Sequence, residues 1–316
     1  MLQKTTKMTV FLSTLNQTGF LFALIFIGYI LAKVGVVERS SARSLAKLEN
    51  FVFVPALIIG SFVENFTVER LGSVWRLLVV CTLIALVSIP LSIIASKLLD
   101  RDKYAQNIYT YGLVFSNFGF MGNAVILAIY PEVFFEYTLF TFPLWIALYV
   151  WGIPVLLIPQ EDGAVGIRSR LRSFVNPMFI SMIIGIVLGL CGARLPEFLD
   201  SAISVSRECM SPVAMILTGI TISTIDLKAT FTRAKLYLAS LIRLVAFPLI
   251  FILVARLLPL SELEYTLCVV MLAMPFGLNT IIVPEAYGRD TSLAAGLTLI
   301  SSILACVTIP FVLTIM

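Results

Sequence analysis

The amino-acid sequence predicts an all-α polytopic membrane protein, with ten transmembrane helices in two inverted five-helix repeats and broken crossover helices at positions four and nine. Three observations lead there: long apolar blocks parted by clustered charges, a self-similarity between the two halves, and a pair of polar interruptions at matching places in those halves. Of 316 residues, 59% are hydrophobic and 13% charged, and the mean hydropathy is +1.03. An ordinary soluble domain is roughly 25% charged, so this composition suits a bilayer better than water.

The apolar blocks fall at about 10–32, 46–63, 74–98, 108–130, 137–158, 174–192, 203–224, 236–257, 265–286 and 292–314. Each is near the 20 residues that cross a hydrocarbon core. The first block exceeds the apolar core of a signal peptide and no A-x-A site follows it, so it is expected to be retained. Five cysteines (Cys81, Cys191, Cys209, Cys268, Cys306) sit in or beside blocks without a metal-binding spacing, and histidine is absent. They are expected to fill helix interfaces. No metal and no cofactor is expected; coupling to Na+ or H+ stays open.

Lys and Arg set the orientation. Lys33, Arg39, Arg43, Lys47, Lys97, Arg101, Lys103, Arg168, Arg170, Arg172, Lys228, Arg233, Lys235 and Arg289 fall on one side. Lys4, Lys7, Arg70, Arg76, Arg194, Arg207 and Arg256 fall on the other. The two-to-one bias makes the first side cytoplasmic. The expectation is a multi-pass protein of the plasma (inner) membrane, with both termini extracytoplasmic and the 159–173 linker inside. The net charge of +4 is then a topology signal, and no nucleic-acid partner is expected.

The repeat appears when span three is laid on span eight at an offset of 158, the distance from Pro90 to Pro248. Leu83, Ile84, Leu86, Val87, Leu91, Ile94 and Leu99 then meet identical residues. The same offset lays Phe118-Gly119 on Phe276-Gly277, and a two-residue shift aligns Pro154 with Pro310. Five spans per half is an odd number, so the second half must be inverted, an architecture recurrent among secondary transporters. The expected units are 1–158 and 174–316.

The candidate site lies at the interruptions. Span four carries Asn117, Gly119, Gly122 and Asn123; span nine carries Pro275, Gly277, Asn279 and Thr280. Glycine and proline weaken a helix, while asparagine and threonine are costly in hydrocarbon without partners. Broken helices leave free N–H groups at one end, and two of them meeting near the midplane would favour an anion, with the amides adding direct hydrogen bonds. Arg243 lies deep inside span eight, where its repeat partner is Ala85. It is a candidate clamp for a substrate carboxylate; snorkelling or pairing with Asp226 is the other option. Glu49, Asn50, Glu64 and Glu285 are expected as interfacial caps, and Arg76 as a boundary snorkel. Gly185 and Gly189 form a GxxxG pair suited to packing within the bundle or across a homodimer.

The stretches SNFGFMGNAVILAIY and AMPFGLNTIIVPEAYGRDTSLAAGLTLISSILACVTIPF resemble the auxin efflux carrier family, which includes bacterial malate and malonate permeases and the plant PIN-FORMED carriers. The similarity covers essentially the whole chain. It implies an elevator carrier in which helices 1, 2, 6 and 7 form a scaffold, open to dimerisation, and helices 3–5 and 8–10 move. It also implies a small organic anion as substrate, first a dicarboxylate such as malate or malonate, with an auxin-like aromatic monocarboxylate as the alternative. Many relatives carry a proline in span four as well; here Gly119 and Gly122 stand in that region. No HExxH, P-loop or Ser–His pair supports an enzyme or a pump. An anion channel stays open as a second alternative.

Overall fold

The computed structural model describes residues 7–38, 40–66, 68–158, 176–223 and 227–315. The 159–173 linker with its three arginines, and Asp226, lie outside them. Among the described residues every regular element is helical. Apart from a short helix at Leu227–Phe231, in chain order these are α1 (Lys7–Lys33), α2 (Ser41–Asn65), α3 (Val68–Leu99), α4 (Lys103–Phe115), α5 (Asn123–Ile129), α6 (Pro131–Phe140) and α7 (Phe142–Leu157). There follow α8 (Pro177–Leu190), α9 (Glu197–Ile222), α10 (Ala234–Ala255), α11 (Glu262–Leu272), α12 (Asn279–Ala286) and α13 (Ser292–Ile315).

Helix occupies each of the ten ranges read from the sequence. Six helical runs, α4 and α5 counted together as one (Lys103–Ile129), are long and apolar enough to cross a bilayer, and the α6–α7 pair, bent by 45°, makes a seventh. Three ranges fall short for visible reasons. Helix α8 has 14 residues, α9 carries Glu197, Asp200, Arg207 and Glu208, and the ninth range is split into α11 and α12. Length and composition alone therefore support six or seven crossings.

Local chemistry marks the helix ends. The Asp102 side chain accepts from the Ala105 N–H to start α4, and Ser261 with Glu264 forms a capping box that starts α11. These caps satisfy backbone donors that a helix start leaves free. They also sit one residue from equivalence at the 158 offset, so the two interrupted spans begin alike.

Packing between helices in lipid gains little from hydrophobic transfer and depends on close van der Waals fit. Glycine supplies that fit. A Cβ on Gly189 would lie 2.7 Å from the Phe62 carbonyl oxygen and 2.9 Å from that of Phe66, and one on Gly185 would lie 2.7 Å from Phe62 Cβ. The GxxxG pair is therefore used inside the chain, between α8 and α2. Helix α13 sits deep in the bundle, with Ala294, Leu297, Ile300, Ser301, Ala305 and Ile309 buried. The outer face of α3 instead exposes Leu83, Leu86, Val87, Ile94 and Leu98, an apolar surface that lipid would cover.

Charged residues tie distant segments together. Arg76 makes a two-pronged pair with Glu264 (2.9 and 3.2 Å) and donates to the Pro259 carbonyl (3.0 Å). It joins the start of α3 to the cap of α11 rather than simply snorkelling. Glu64 pairs with Arg207 at 2.8 Å, linking α2 to α9. Lys235 meets Asp100 at 2.8 Å. Glu49 departs from its expected role as an interfacial cap: it is fully buried in a π turn (Glu49–Phe53), and neither carboxylate oxygen has a hydrogen bond.

Gly189→Ala should overpack the α8–α2 contact and destabilise the protein by about 1–3 kcal/mol. Thermal unfolding in detergent would register this as a lower midpoint, whereas an unchanged midpoint would show that this contact is not tight.

Candidate functional site

Helix α4 ends at Phe115 because Ser116 adopts φ +26°, the one positive φ among the described non-glycine residues. The break therefore falls at Ser116–Asn117, ahead of the glycines expected to cause it. A π turn (Phe118–Gly122) restarts the chain into α5, with the Asn117 side-chain oxygen accepting from the Met121 N–H at 3.4 Å. Gly119 and Gly122 serve close approach instead. A Cβ on Gly119 would meet Trp145 at 2.7 Å, and one on Gly122 would strike the Tyr137 hydroxyl. Tyr137 donates to the Phe118 carbonyl at 2.8 Å. In the second half, α11 ends at Leu272, residues 273–278 are non-helical, and α12 begins at Asn279.

The two breaks meet backbone to backbone. The Asn117 N–H donates to the Pro275 carbonyl at 2.7 Å. Gly277 makes the contact possible, since a Cβ there would lie 2.6 Å from the Ser116 carbonyl oxygen. In an unbroken helix the Asn117 N–H would serve the Leu113 carbonyl. Pro275 likewise has no N–H to offer Met271. Both carbonyls are thereby released, and Arg243 takes them. Its Nη1 donates to Leu113 O (2.8 Å), its Nη2 to Met271 O (2.8 Å) and its Nε to Met274 O (3.2 Å). The side chain is 1% exposed.

Arg243 is thus a cap for the carbonyl ends of α4 and α11, which carry the negative ends of their helix dipoles. Three of its five N–H donors are committed to backbone. The carboxylate-clamp option and the snorkel option both give way to this arrangement, which sequence spacing could not show.

The other candidates gather around the same contact. Asn279 donates from Nδ2 to the Tyr111 hydroxyl at 3.1 Å, and Thr280 donates to Gly277 O at 2.7 Å. The Phe276 N–H donates to Ser301 Oγ at 3.0 Å. Asn123 opens α5 and is 9% exposed. Asn117 is 3% exposed, and its Nδ2 has no partner. Buried donors are nearly always paired, so an unmatched amide here is suited to an incoming acceptor. Ser116 Oγ, a residue away, is unpartnered too. Tyr111, Tyr137 and Ser301 were missed by the sequence reading; their signal was polar hydroxyls inside apolar spans, which must find partners.

The profile of the family described as membrane transport protein matches residues 14–170 and 163–313, nearly the whole chain. A protein from Methanothermobacter thermautotrophicus described as an uncharacterized transporter is 23% identical over 312 residues, covering 95% of this chain and 98% of its own length.

Arg243→Met would strand the Leu113 and Met274 carbonyls, leave Met271 O with only its 3.5 Å bond from the Met274 N–H, and should destabilise the fold by about 3–5 kcal/mol. Arg243→Lys, which can reach fewer of them, should fall between. Equal unfolding midpoints for wild type and Arg243→Met would contradict the capping role.

Proposed function

Because the chain belongs to the membrane transport protein family, that of the auxin efflux carriers, we propose that it moves a small organic anion across the plasma membrane by an elevator-type alternating-access mechanism. Its family makes it a transporter in a lipid bilayer and not an enzyme. The observation that carries the anion is the asymmetry of the crossover. Its helix C-termini are neutralised by Arg243, while the chain restarts after each break, toward α5 and α12, keep their positive dipole ends, although the Met121, Gly122, Phe276 and Thr280 N–H groups are bonded within the protein. The unmatched Asn117 amide lies between them.

In this proposal the substrate carboxylate rests on the amides of Asn117, Asn123 and Asn279 and on the restarts at Gly119–Gly122 and Gly277–Thr280. Pro275 and Arg243 hold the breaks open without touching it. Helices α1, α2, α8 and α9 are the scaffold, and α3–α7 with α10–α13 move. The ten-span inverted plan, with units 1–158 and 174–316 and extracytoplasmic termini, rests on the 158 offset, the matched caps and the charge bias. A dicarboxylate such as malate or malonate is the first substrate class. An aromatic monocarboxylate gains support from the Phe118–Trp145 edge contact (4.8 Å) and the Trp145–Tyr149 stack beside the break. Dimerisation, if it uses scaffold helices, must use faces other than the Gly185–Gly189 pair.

Coupling follows from the same geometry. A sodium ion would need carbonyl oxygens at the break, and those of Leu113, Met271 and Met274 already serve a guanidinium. Facilitative movement down the membrane potential fits best.

In proteoliposomes, external unlabelled malate should drive uptake of labelled malate, as a carrier does and an open anion channel does not. Asn117→Ala with Asn279→Ala should raise the KM at least tenfold, since each lost hydrogen bond is worth about 1 kcal/mol or more. Undiminished affinity in the double variant would sink the site assignment. Replacing sodium by choline should leave the rate unchanged; a collapse would overturn facilitative movement.

A further inference from the structure

Two cavities flank the crossover, one beyond each half-helix, and both lie between proposed scaffold and moving helices. The first, about 640 Å³, is bounded by Arg43, Lys47 and Asn50 of α2, Thr221 of α9, and Ile281 and Glu285 of α12. The second, about 340 Å³, is bounded by Glu64 of α2, Leu127 of α5, Glu132 of α6, and Arg207, Glu208 and Ser211 of α9. Helix α12 starts at Asn279 and α5 at Asn123. Each cavity therefore opens on a helix within about 6 Å of axial rise from that helix's start.

An inverted repeat would make these two mouths equivalent. In sequence, an offset of 157 aligns Pro55 with Pro212, Asn50 with Arg207 and Glu64 with Thr221, while the 158 offset aligns Leu127 with Glu285. All three of the last pairs flank the two cavities, and in all three the charge is on one member alone. The repeat has been kept in shape and broken in charge. The first mouth holds Arg43 and Lys47 against Glu285, one net positive charge. The second holds Glu64, Glu132 and Glu208 against Arg207, two net negative charges. Arg207 is itself committed to Glu64 at 2.8 Å, which leaves Glu132 and Glu208 facing that mouth. Arg43 and Lys47 are exposed, and neither makes an ion pair among the described residues.

Resting on the anion reading above, we infer that the two vestibules give the carrier an electrostatic polarity: Arg43 and Lys47 draw organic anions in from their side, and Glu132 and Glu208 oppose entry from the other. Clefts lined by one sign of charge raise the local concentration of the opposite ion. An anion therefore loads at lower concentration from the Arg43 side and, once delivered to the acidic mouth, leaves readily. Fields of this kind are screened over about 10 Å at 0.1 M salt, so the polarity weakens as ionic strength rises. By the charge bias of the loops the loading side is cytoplasmic; the membrane potential, negative inside, sets the direction of net anion flux at equal concentrations, and the polarity sets the anion concentration at which each side saturates.

The test is the KM for a labelled dicarboxylate in inside-out and right-side-out membrane vesicles at low and high salt. At low salt the KM from the Arg43 side should be lower by at least about threefold, a ratio set by a few weakly screened surface charges. It should approach one in high salt. Arg43→Gln with Lys47→Gln should raise the KM from that side alone, and Glu132→Gln with Glu208→Gln should lower it from the other side alone. Unfolding midpoints in detergent should be unchanged in both double variants, which separates the effect from misfolding. Equal KM values from both sides at low salt would overturn the polarity and leave the transport reading standing. Absence of any anion counterflow in wild type would overturn the transport reading itself.

Discussion

A transmembrane helix that stops halfway leaves carbonyl groups in hydrocarbon with no water to receive them, at a cost of several kcal/mol each. The guanidinium of Arg243 answers this at the two breaks together, donating to Leu113, Met271 and Met274. The breaks in turn create the acceptors that Arg243 needs. Pro275 withholds an N–H from Met271, and the Asn117 N–H turns to Pro275 instead of Leu113. No carboxylate takes part in those contacts, so the charge is balanced by backbone dipoles. A buried arginine without these carbonyls would be costlier still than the carbonyls without the arginine.

The same exchange underlies the proposed preference of the crossover for anions. Two helices broken at one level present two C-terminal ends and two N-terminal ends, which would otherwise offset one another. Capping the C-terminal pair with a fixed cation leaves the N-terminal pair as the uncompensated partner. The asymmetry between the halves, arginine in span eight against alanine in span three, then becomes a requirement of the geometry. A single guanidinium spans both carbonyl ends, so the repeat needs one such residue and not two. The same logic extends to the two mouths, whose lining residues differ in charge.

Much of the fold was legible in the sequence because its signals are long. Twenty-residue apolar blocks and the SNFGFMGN and AMPFGLNT interruptions survive uncertainty of a few residues. What was not legible depended on side-chain direction. Arg243 and Ala85 share a repeat position, yet nothing in their spacing reveals that the arginine reaches three carbonyls from residues 28, 31 and 130 positions away. Glu49 looked like an interfacial cap and is fully buried, because the π turn at Glu49–Phe53 turns that face into the bundle. Gly119 and Gly122, expected to weaken the helix, instead admit Trp145 and Tyr137 and leave the break to Ser116. Gly185 and Gly189 offered two uses, and only the position of Phe62 and Phe66 selects one.

The central claim is that a substrate carboxylate sits against the Asn117 amide at the crossing of the two breaks. Solid-state NMR on protein carrying 15N-labelled asparagine side chains, with a 13C-carboxylate dicarboxylate bound in lipid, measures that contact directly. The carboxyl carbon should lie within about 4 Å of the Asn117 Nδ2, the separation a hydrogen bond imposes, and that one cross-signal should vanish in Asn117→Ala. Strong binding with no carbon–nitrogen coupling at any asparagine side chain would contradict the account.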